Sequence, residues 1–391
     1  MTIMLIGCGC GSLTCDARAA IDSAELVIGS ARLLREYGAD KPQIEAVTVP
    51  AIKAAIDGAN CEKVCVLYSG DSGFYSGARM LLPELGGQDV RLLPGISSVQ
   101  AFAAKLKKPW QDWLLCSAHG VDCDAVAAVC RDRPAFFLTG GRQGPAEISR
   151  TLTDAGLGFL KVYVGEELGT AAERITEGTA AEYAARAFSP LSVLLIEPAP
   201  RYPRRTPGLP DSDFLRAEKV PMTKQEVRAA ALSKLAVTLE DVCWDIGAGT
   251  GSVAIELALQ CRAVYGVERE EAALNIAAQN RERFGAWNLC LVKGEAPDAL
   301  AALPKSDAVF VGGSGGQLGE ILRAIHAANP AARICVSAIT IESLHNAYSV
   351  LRELDYETEV TQLSVSRSKP AGGLTLMLAQ NPVWLVTGYA K

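Results

Sequence analysis

The run Asp245-Ile-Gly-Ala-Gly-Thr-Gly251 follows a short apolar stretch and leads into a helical pattern that starts near Ser252. Glycines at 247, 249 and 251, with Thr250 between the last two, permit a tight turn and let backbone approach a ligand closely. The free N–H groups of the helix that follows are predicted to face an anionic group of that ligand. Ser252 stands where a dinucleotide fingerprint needs its third glycine, so the spacing is G-x-G-x-G. The partner of the turn is Glu268, which ends the next apolar run 19 residues after Gly249. A carboxylate there accepts hydrogen bonds from both hydroxyls of a ribose. A glycine turn in register with that acid fits S-adenosylmethionine better than a nicotinamide dinucleotide. Gly294-Glu295-Ala296 and Gly312, at the ends of the third and fourth runs, are assigned to the same cofactor site.

The fourth run ends in Gly312-Gly313-Ser314-Gly315-Gly316. Methyltransferases that act on exocyclic amines carry an Asn/Asp-Pro-Pro-Tyr set there, whose acceptors orient the amine. A glycine floor without acceptors or an aromatic lid suits a large flat substrate, with Ser314 in contact with it. Asn381-Pro-Val-Trp384 imitates the amine motif but follows the last strand, so it is read as unrelated to the site. Arg367 and Lys369 are expected in a polar loop between two strands, close enough together to grip substrate carboxylates. Thr223 followed by Glu226 matches a capping box, and the same segment is also placed to cover the cofactor; both readings stand. His326 and His345 fall on helices and are read as surface or satisfied groups. No residue is assigned as catalytic.

The N-terminal half has several glycine turns at strand ends. They are Gly7-Cys-Gly-Cys-Gly11, Ser69-Gly-Asp-Ser-Gly-Phe-Tyr-Ser76, Pro94-Gly-Ile-Ser-Ser98 and Ser117-Ala-His-Gly120. Together they predict a cleft that admits a ligand close to backbone. Gly9, Cys10, Gly70, Asp71, Ser72, Ser97 and Ser98 are its candidate contacts, with Ser97 or Ser98 also placed to cap the next helix.

These turns need scaffolds. The 391 residues exceed one ordinary core and predict two or three domains. Apolar residues at 49% and charged residues at 21% describe a folded globular chain. A net charge of −6 excludes a globally basic nucleic-acid binder. No apolar run reaches the roughly 18 residues a membrane helix needs, and MTIMLIGCGCGS reads as a buried strand rather than a secretion signal. A cytoplasmic chain is expected, with its 12 cysteines reduced. The cysteine spacings give no paired zinc pattern, so no metal is expected. The stretch from Pro198 to Pro221 holds six prolines and reads as an extended linker. That divides the chain into 1–198, a linker over 199–217, and 218–391. Each half alternates apolar runs with helical patterns, which predicts α/β domains with parallel sheets. The last two strands, near 358–366 and 374–380, have no helix between them, so one is expected antiparallel.

Motifs in both halves resemble known families. M-T-K-Q-E-V-R, W-D-I-G-A-G-T-G-S, V-F-V-G-G-S-G-G, S-A-I-T-I-E-S and S-V-S-R-S-K-P-A-G-G-L, spread over 218–391, resemble the decarboxylating, carbon-15-methylating class I methyltransferases of cobalamin biosynthesis. The N-terminal turns resemble the tetrapyrrole methylases, class III enzymes that hold a folded cofactor between two lobes. Leu26-Val-Ile-Gly-Ser-Ala-Arg-Leu33 and Gly165-Glu-Glu-Leu-Gly-Thr-Ala-Ala-Glu-Arg174 point to the carbon-5-methylating precorrin subgroup. Two departures stand out: Cys10 and Ser72 replace prolines of the family's first and second loops, and the first loop is shortened. The resemblance implies a two-lobed tetrapyrrole methylase fold followed by a Rossmann-like class I fold. It also implies one S-adenosylmethionine site per domain, a reduced tetrapyrrole rich in acetate and propionate as substrate, and a homo-oligomer. No nucleic acid or membrane partner is implied. Two alternatives stand beside it: an RNA methyltransferase working through the C-terminal half, and a fusion in which one half is not catalytic.

Overall fold

The computed structural model describes residues 1–38, 40–204, 206–218 and 220–390. It divides into two compact units, Met1–Pro198 and Ala199–Lys391.

The first unit holds two five-stranded sheets. In one, β1 (Thr2–Cys8), β2 (Leu26–Gly29), β3 (Gln43–Glu45), β4 (Lys63–Ser69) and β5 (Asp89–Leu93) run parallel in the order β3-β2-β4-β1-β5. Ile3, Leu5, Val64 and Val66 face one core layer, and Met4, Ile6, Cys65 and Leu67 face the other. Both faces are covered, which is why these strands read as unbroken apolar runs. Thr14 caps the helix Cys15–Ser23, and Ser97 forms a capping box with Gln100 at the head of Ser98–Leu106. Of the two serines expected to cap there, Ser97 is the cap.

The second sheet orders β6 (Leu114–Ser117), β7 (Ala135–Leu138), β8 (Lys161–Glu166), β9 (Arg174–Thr179) and β10 (Ser192–Ile196) as β6-β7-β10-β8-β9. Only β6 and β7 are parallel; β10 runs against β7 and β8, and β8 against β9. Here the expectation of parallel strands gives way. No helix connects β8 to β9, and a parallel pair needs such a crossover.

The second unit is one seven-stranded sheet and a separate hairpin. Strands β11 (Val242–Ile246), β12 (Ala263–Glu268), β13 (Leu289–Lys293), β14 (Ala308–Val311) and β15 (Arg333–Ala338) are parallel in the order β13-β12-β11-β14-β15. Four strands follow: β16 (Tyr356–Leu363), β17 (Ser366–Ala371), β18 (Leu374–Ala379) and β19 (Val383–Ala390). The antiparallel member of the sheet is β19, which enters between β15 and β16. The stretch near 374–380 is not in the sheet at all: β18 pairs only with β17, and every residue of β18 is exposed. Leu385 and Val386, by contrast, are fully buried. Among the described residues no helix is long and apolar enough to cross a membrane.

The proline-rich stretch is not an extended linker. Its prolines bar regular structure, yet Leu209 is 0% and Phe214 is 4% exposed within the second unit's core. Gly208 and Leu209 donate their N–H groups to Glu256, at 2.7 and 3.0 Å. Arg228, fully buried on the helix Gln225–Leu235, binds Glu256 and Asp211 at 2.8 Å each and lies over the Phe214 ring. Burial alone would raise the Asp211 carboxyl, but bonds from Arg228 and Arg367 outweigh that and hold it below the ordinary range.

Removing one member of such a pair strands the others in a dry interior, at a cost of about 3–5 kcal/mol. Arg228→Ala is therefore expected to lower the unfolding free energy of the second unit by that amount. Urea titration followed by tryptophan fluorescence measures it, and a loss below about 1 kcal/mol would show that the stretch is held by other means.

Candidate functional site

The second unit's site forms where β11, β12, β13 and β14 end. Each strand ends in a turn, and the four turns rim a cavity of about 650 Å³. At the end of β11, the turn carries Gly247, Gly249 and Gly251 at φ of 74, 56 and 77°. A side chain at Gly249 would bring its Cβ to 2.6 Å from the Pro221 carbonyl oxygen, so the segment before Thr223 crosses directly over the turn. Gly249 donates its N–H to Glu268 Oε2 at 2.9 Å. Glu268 Oε1 accepts from the Arg269 and Glu270 N–H groups at 2.8 and 3.0 Å. Three of roughly four acceptor positions on that carboxylate are thus taken by backbone, which fixes its direction and leaves capacity for a ligand hydroxyl.

Thr223, Gly247, Gly249, Glu268, Gly294, Glu295, Ala296, Gly312 and Ser314 all line this cavity. Asp245, Thr250 and Gly251 lie beneath it. Asp245 is 1% exposed, accepts from Ala254 N–H at 2.8 Å through Oδ2, and leaves Oδ1 without a partner. The helix Ser252–Ala258 is buried along its whole length, and this N–H is spent on Asp245. One of the helix's first-turn N–H groups, expected from the sequence to face a ligand, thus faces a carboxylate of the protein. Burial drives the Asp245 carboxyl up to about 7, the nearby charge of Glu268 adds to this, and the Ala254 N–H opposes it.

Two further expectations change. The helix after Thr223 begins at Gln225 with Lys224 in the cap position, and Glu226 bonds to Arg367, so Thr223 and Glu226 form no capping box. Thr223 instead lines the cavity, with its carbonyl bound by Arg228. Arg367 and Lys369 lie on β17 and not in a loop, and neither lines the cavity. Arg367 is committed to Asp211 at 2.9 Å and to both oxygens of Glu226. It braces the covering segment and is not free to grip a substrate. Asn381-Pro-Val-Trp384 also sits nearer than its place in sequence implies. Trp384 opposes Ala338, the last residue of β15, at the sheet edge that carries the site.

The first unit has a cavity of about 340 Å³ between the ends of its strands. Cys10, Gly70, Asp71, Ser97 and Ser98 line it. Asp71 joins two loops, accepting from Gly73 N–H at 2.8 Å and Gly95 N–H at 3.1 Å. Ser72 turns inward to the Leu93 carbonyl at 3.2 Å and is 6% exposed. Gly9 packs under Ile96 and is likewise off the lining. Arg32, Tyr37, Tyr75, His119 and Glu167, which the sequence motifs do not mark as contacts, also line the cavity. A signal existed for each: they lie in or beside the very motifs whose glycines drew attention.

Comparisons with known proteins divide the chain in the same way. The profile of the Tetrapyrrole (Corrin/Porphyrin) Methylases matches residues 2–184, and that of the Precorrin methyltransferase domain matches 215–388. A Sinorhizobium precorrin-6Y C(5,15)-methyltransferase (decarboxylating) is 34% identical over 318 residues, covering 80% of this chain and 76% of its own. A probable cobalt-precorrin-6B C(15)-methyltransferase (decarboxylating) of Pyrobaculum calidifontis is 46% identical over 193 residues, 48% of this chain and 99% of its own. Among solved structures, the precorrin-6y C5,15-methyltransferase of Geobacter metallireducens is 36% identical over 49% of this chain and all of its own, with a TM-score of 0.45.

The buried carboxyl of Asp245 gives a pH-dependent outcome. A carboxyl that titrates at 3.8 when unfolded and near 7 when folded costs nothing below the lower value. Its cost then grows by about 1.4 kcal/mol per pH unit up to the upper value. Asp245→Asn removes that dependence, so the variant should gain on the parent chain as pH rises from 5 to 8. Denaturant unfolding at both pH values measures it, and an unchanged difference would show that the carboxyl is ionised at no cost.

Proposed function

Because the chain belongs to the decarboxylating precorrin-6Y C(5,15)-methyltransferases, we propose that its two units divide that reaction between them. The first unit methylates carbon 5 of a reduced precorrin-6 ring. The second methylates carbon 15 and removes the carboxyl group of the acetate on carbon 12. The observation that carries this reading is the Gly249–Glu268 bond at the floor of the second cavity. It sets a ribose-binding carboxylate beside a glycine turn, and Gly312 to Gly315 line the same cavity.

S-adenosylmethionine supplies an electrophilic methyl group on a positively charged sulfur, so the protein need not activate it. Thr223, Gly247, Gly249, Glu268, Gly294, Glu295, Ala296 and Gly312 would hold it in the second unit, and Cys10, Gly70, Asp71, Ser97 and Ser98 in the first. Asp245, Thr250 and Gly251 shape the turn from below. Gly9 and Ser72 do the same for the loops of the first unit. Ser314 faces the ring. The nucleophile is an electron-rich carbon of the substrate, and the chain's task is to align it. Orientation of that kind can supply up to roughly 7–11 kcal/mol of the barrier. In the decarboxylation the electron pair of the breaking C–C bond flows into the macrocycle, so the ring is its own electron sink.

The chain works as a homo-oligomer. The hairpin of β17 and β18 leaves Leu374, Leu376, Met377 and Leu378 exposed at 71, 49, 65 and 46%. An apolar edge of that size on a lone chain invites pairing with another copy. The cytoplasm is the compartment this reading assigns, since twelve cysteines stay reduced there.

Mass spectrometry of the full chain with reduced precorrin-6 and S-adenosylmethionine tests the division. The product should gain two methyl groups and lose one carbon dioxide. Glu268→Ala removes charged hydrogen bonds of about 1.5–3 kcal/mol and should weaken cofactor binding by tenfold or more in the second unit. With S-adenosylmethionine below saturation, the carbon-15 methyl should then form at least tenfold more slowly while the carbon-5 methyl is added at the parental rate. Retention of all three changes at the parental rate would refute the assignment.

The assembly is tested separately by sedimentation. The double change Leu376→Asp with Met377→Asp should shift the chain to monomer, and an unaltered sedimenting mass would place the interface elsewhere.

A further inference from the structure

The reading above leaves one proton unassigned. When methyl replaces hydrogen on carbon 5, the ring's π pair forms the new C–C bond as the S–CH3 bond breaks and its pair stays on sulfur. The C–H bond then breaks, its electron pair restores the ring's unsaturation, and a proton must leave. The first unit therefore needs a base in its cavity.

Most titratable groups there are committed. Asp71 accepts from two backbone N–H groups. Glu36 faces Arg32 at 3.6 Å, and Glu167 accepts the Ser189 hydroxyl. The Cys8 and Cys10 thiols are pushed up by burial and stay protonated. Tyr75 donates its hydroxyl to the Leu115 carbonyl at 3.1 Å.

His119 differs from all of these. It stands in the turn after β6 and lines the cavity. Its Nδ1 is 3.3 Å from the Thr139 carbonyl oxygen. A carbonyl can only accept, so in the neutral ring Nδ1 carries the hydrogen and Nε2 keeps the lone pair. The ring rests on Gly140, where an added Cβ would come within 2.1 Å of Nδ1. Position 140 is thus emptied of a side chain to seat this imidazole. The ring edge is exposed, so a proton taken up can pass on to water.

We propose that His119 is the catalytic base of the first unit, its Nε2 accepting the proton that carbon 5 sheds on methylation. The role rests on the division of labour proposed above.

The test uses the full chain. The sequence has three histidines, so nitrogen-15 imidazole spectra are simple, and the signals lost in His119→Gln identify the residue. They should show hydrogen on Nδ1 and none on Nε2. A general base contributes about 10²–10⁴-fold. His119→Gln and His119→Ala should slow carbon-5 methylation by that factor. They should leave calorimetric S-adenosylmethionine binding, the carbon-15 methyl and the loss of carbon dioxide unchanged. Added imidazole should restore part of the rate to His119→Ala. Hydrogen on Nε2, parental carbon-5 methylation by His119→Gln, or a loss that follows cofactor affinity and resists imidazole would each overturn the role alone. A parental chain that adds no methyl at carbon 5 would overturn the division of labour, and the role with it.

Discussion

The guanidinium of Arg228 is wholly buried, and the architecture of the second site follows from how its charge is answered. Asp211 and Glu256 neutralise it from two sides, and Glu256 in turn takes the N–H groups of Gly208 and Leu209. Arg367 closes the set from outside by holding Asp211 and Glu226. The bonds to Asp211 and to the N–H groups of Gly208 and Leu209 pin backbone that no α-helix or strand fixes. Arg228 also binds the Thr223 carbonyl, and Thr223 lines the cavity. The charged cluster therefore reaches the site through two residues of chain, and Pro221 is laid over Gly249 as a result. An ion network this deep is poor as a source of net stability, since desolvation offsets most of the attraction. Its contribution is direction: only one path of the segment satisfies all five charges.

The two units solve the same problem with different sheets. Both bring glycine turns to the carboxyl ends of parallel strands, where backbone can approach a ligand without side chains in between. In the second unit the parallel set runs from the edge strand β13 to β15, and β19 follows in the antiparallel sense. In the first unit the all-parallel sheet supplies most of the glycine loops, and the mixed sheet supplies an opposing wall. The walls meet at Gly11 and Gly169, where an added Cβ on either would fall within 2.4 Å of backbone of the other loop. That contact lets the shortened first loop still frame the cavity.

What could be read from the sequence was local. A glycine turn, the acid that ends the next strand and a serine that caps a helix each act within a few residues or one strand repeat, so their types announce them. What could not be read was set by partners far along the chain. Arg367 looks like a free cation until Asp211, 156 residues away, and Glu226, 141 away, are brought to it. The proline-rich stretch looks like a linker because proline bars helix and strand, yet proline does not bar burial, and Leu209 is buried completely. The hairpin misled for the opposite reason: Leu374-Thr-Leu-Met-Leu has the composition of a core strand but lies wholly at the surface. β19 takes the place in the sheet that β18 seemed to claim. His119 was legible as part of a turn, and its seating was not, because Gly140 and the Thr139 carbonyl against which it lies come from the next strand's end.

The contrast between the two cavities also follows from proton balance. On the proposed division of labour, the second unit's methylation at carbon 15 sheds one proton, while replacing a carboxylate by hydrogen on the carbon-12 side chain consumes one. The pair of reactions is neutral overall, so a site that performs both has no net proton to export. Its ionisable lining consists of Glu218, Glu268, Arg269, Glu270 and Glu295, with no histidine among the described lining residues. On the same proposal the first unit's single methylation leaves one proton over, with no second reaction to absorb it. That cavity is the one lined by an imidazole, seated on a glycine, with its Nδ1 facing a backbone carbonyl. The placement of the chain's titratable groups is thus the one that the proposed half-reactions call for.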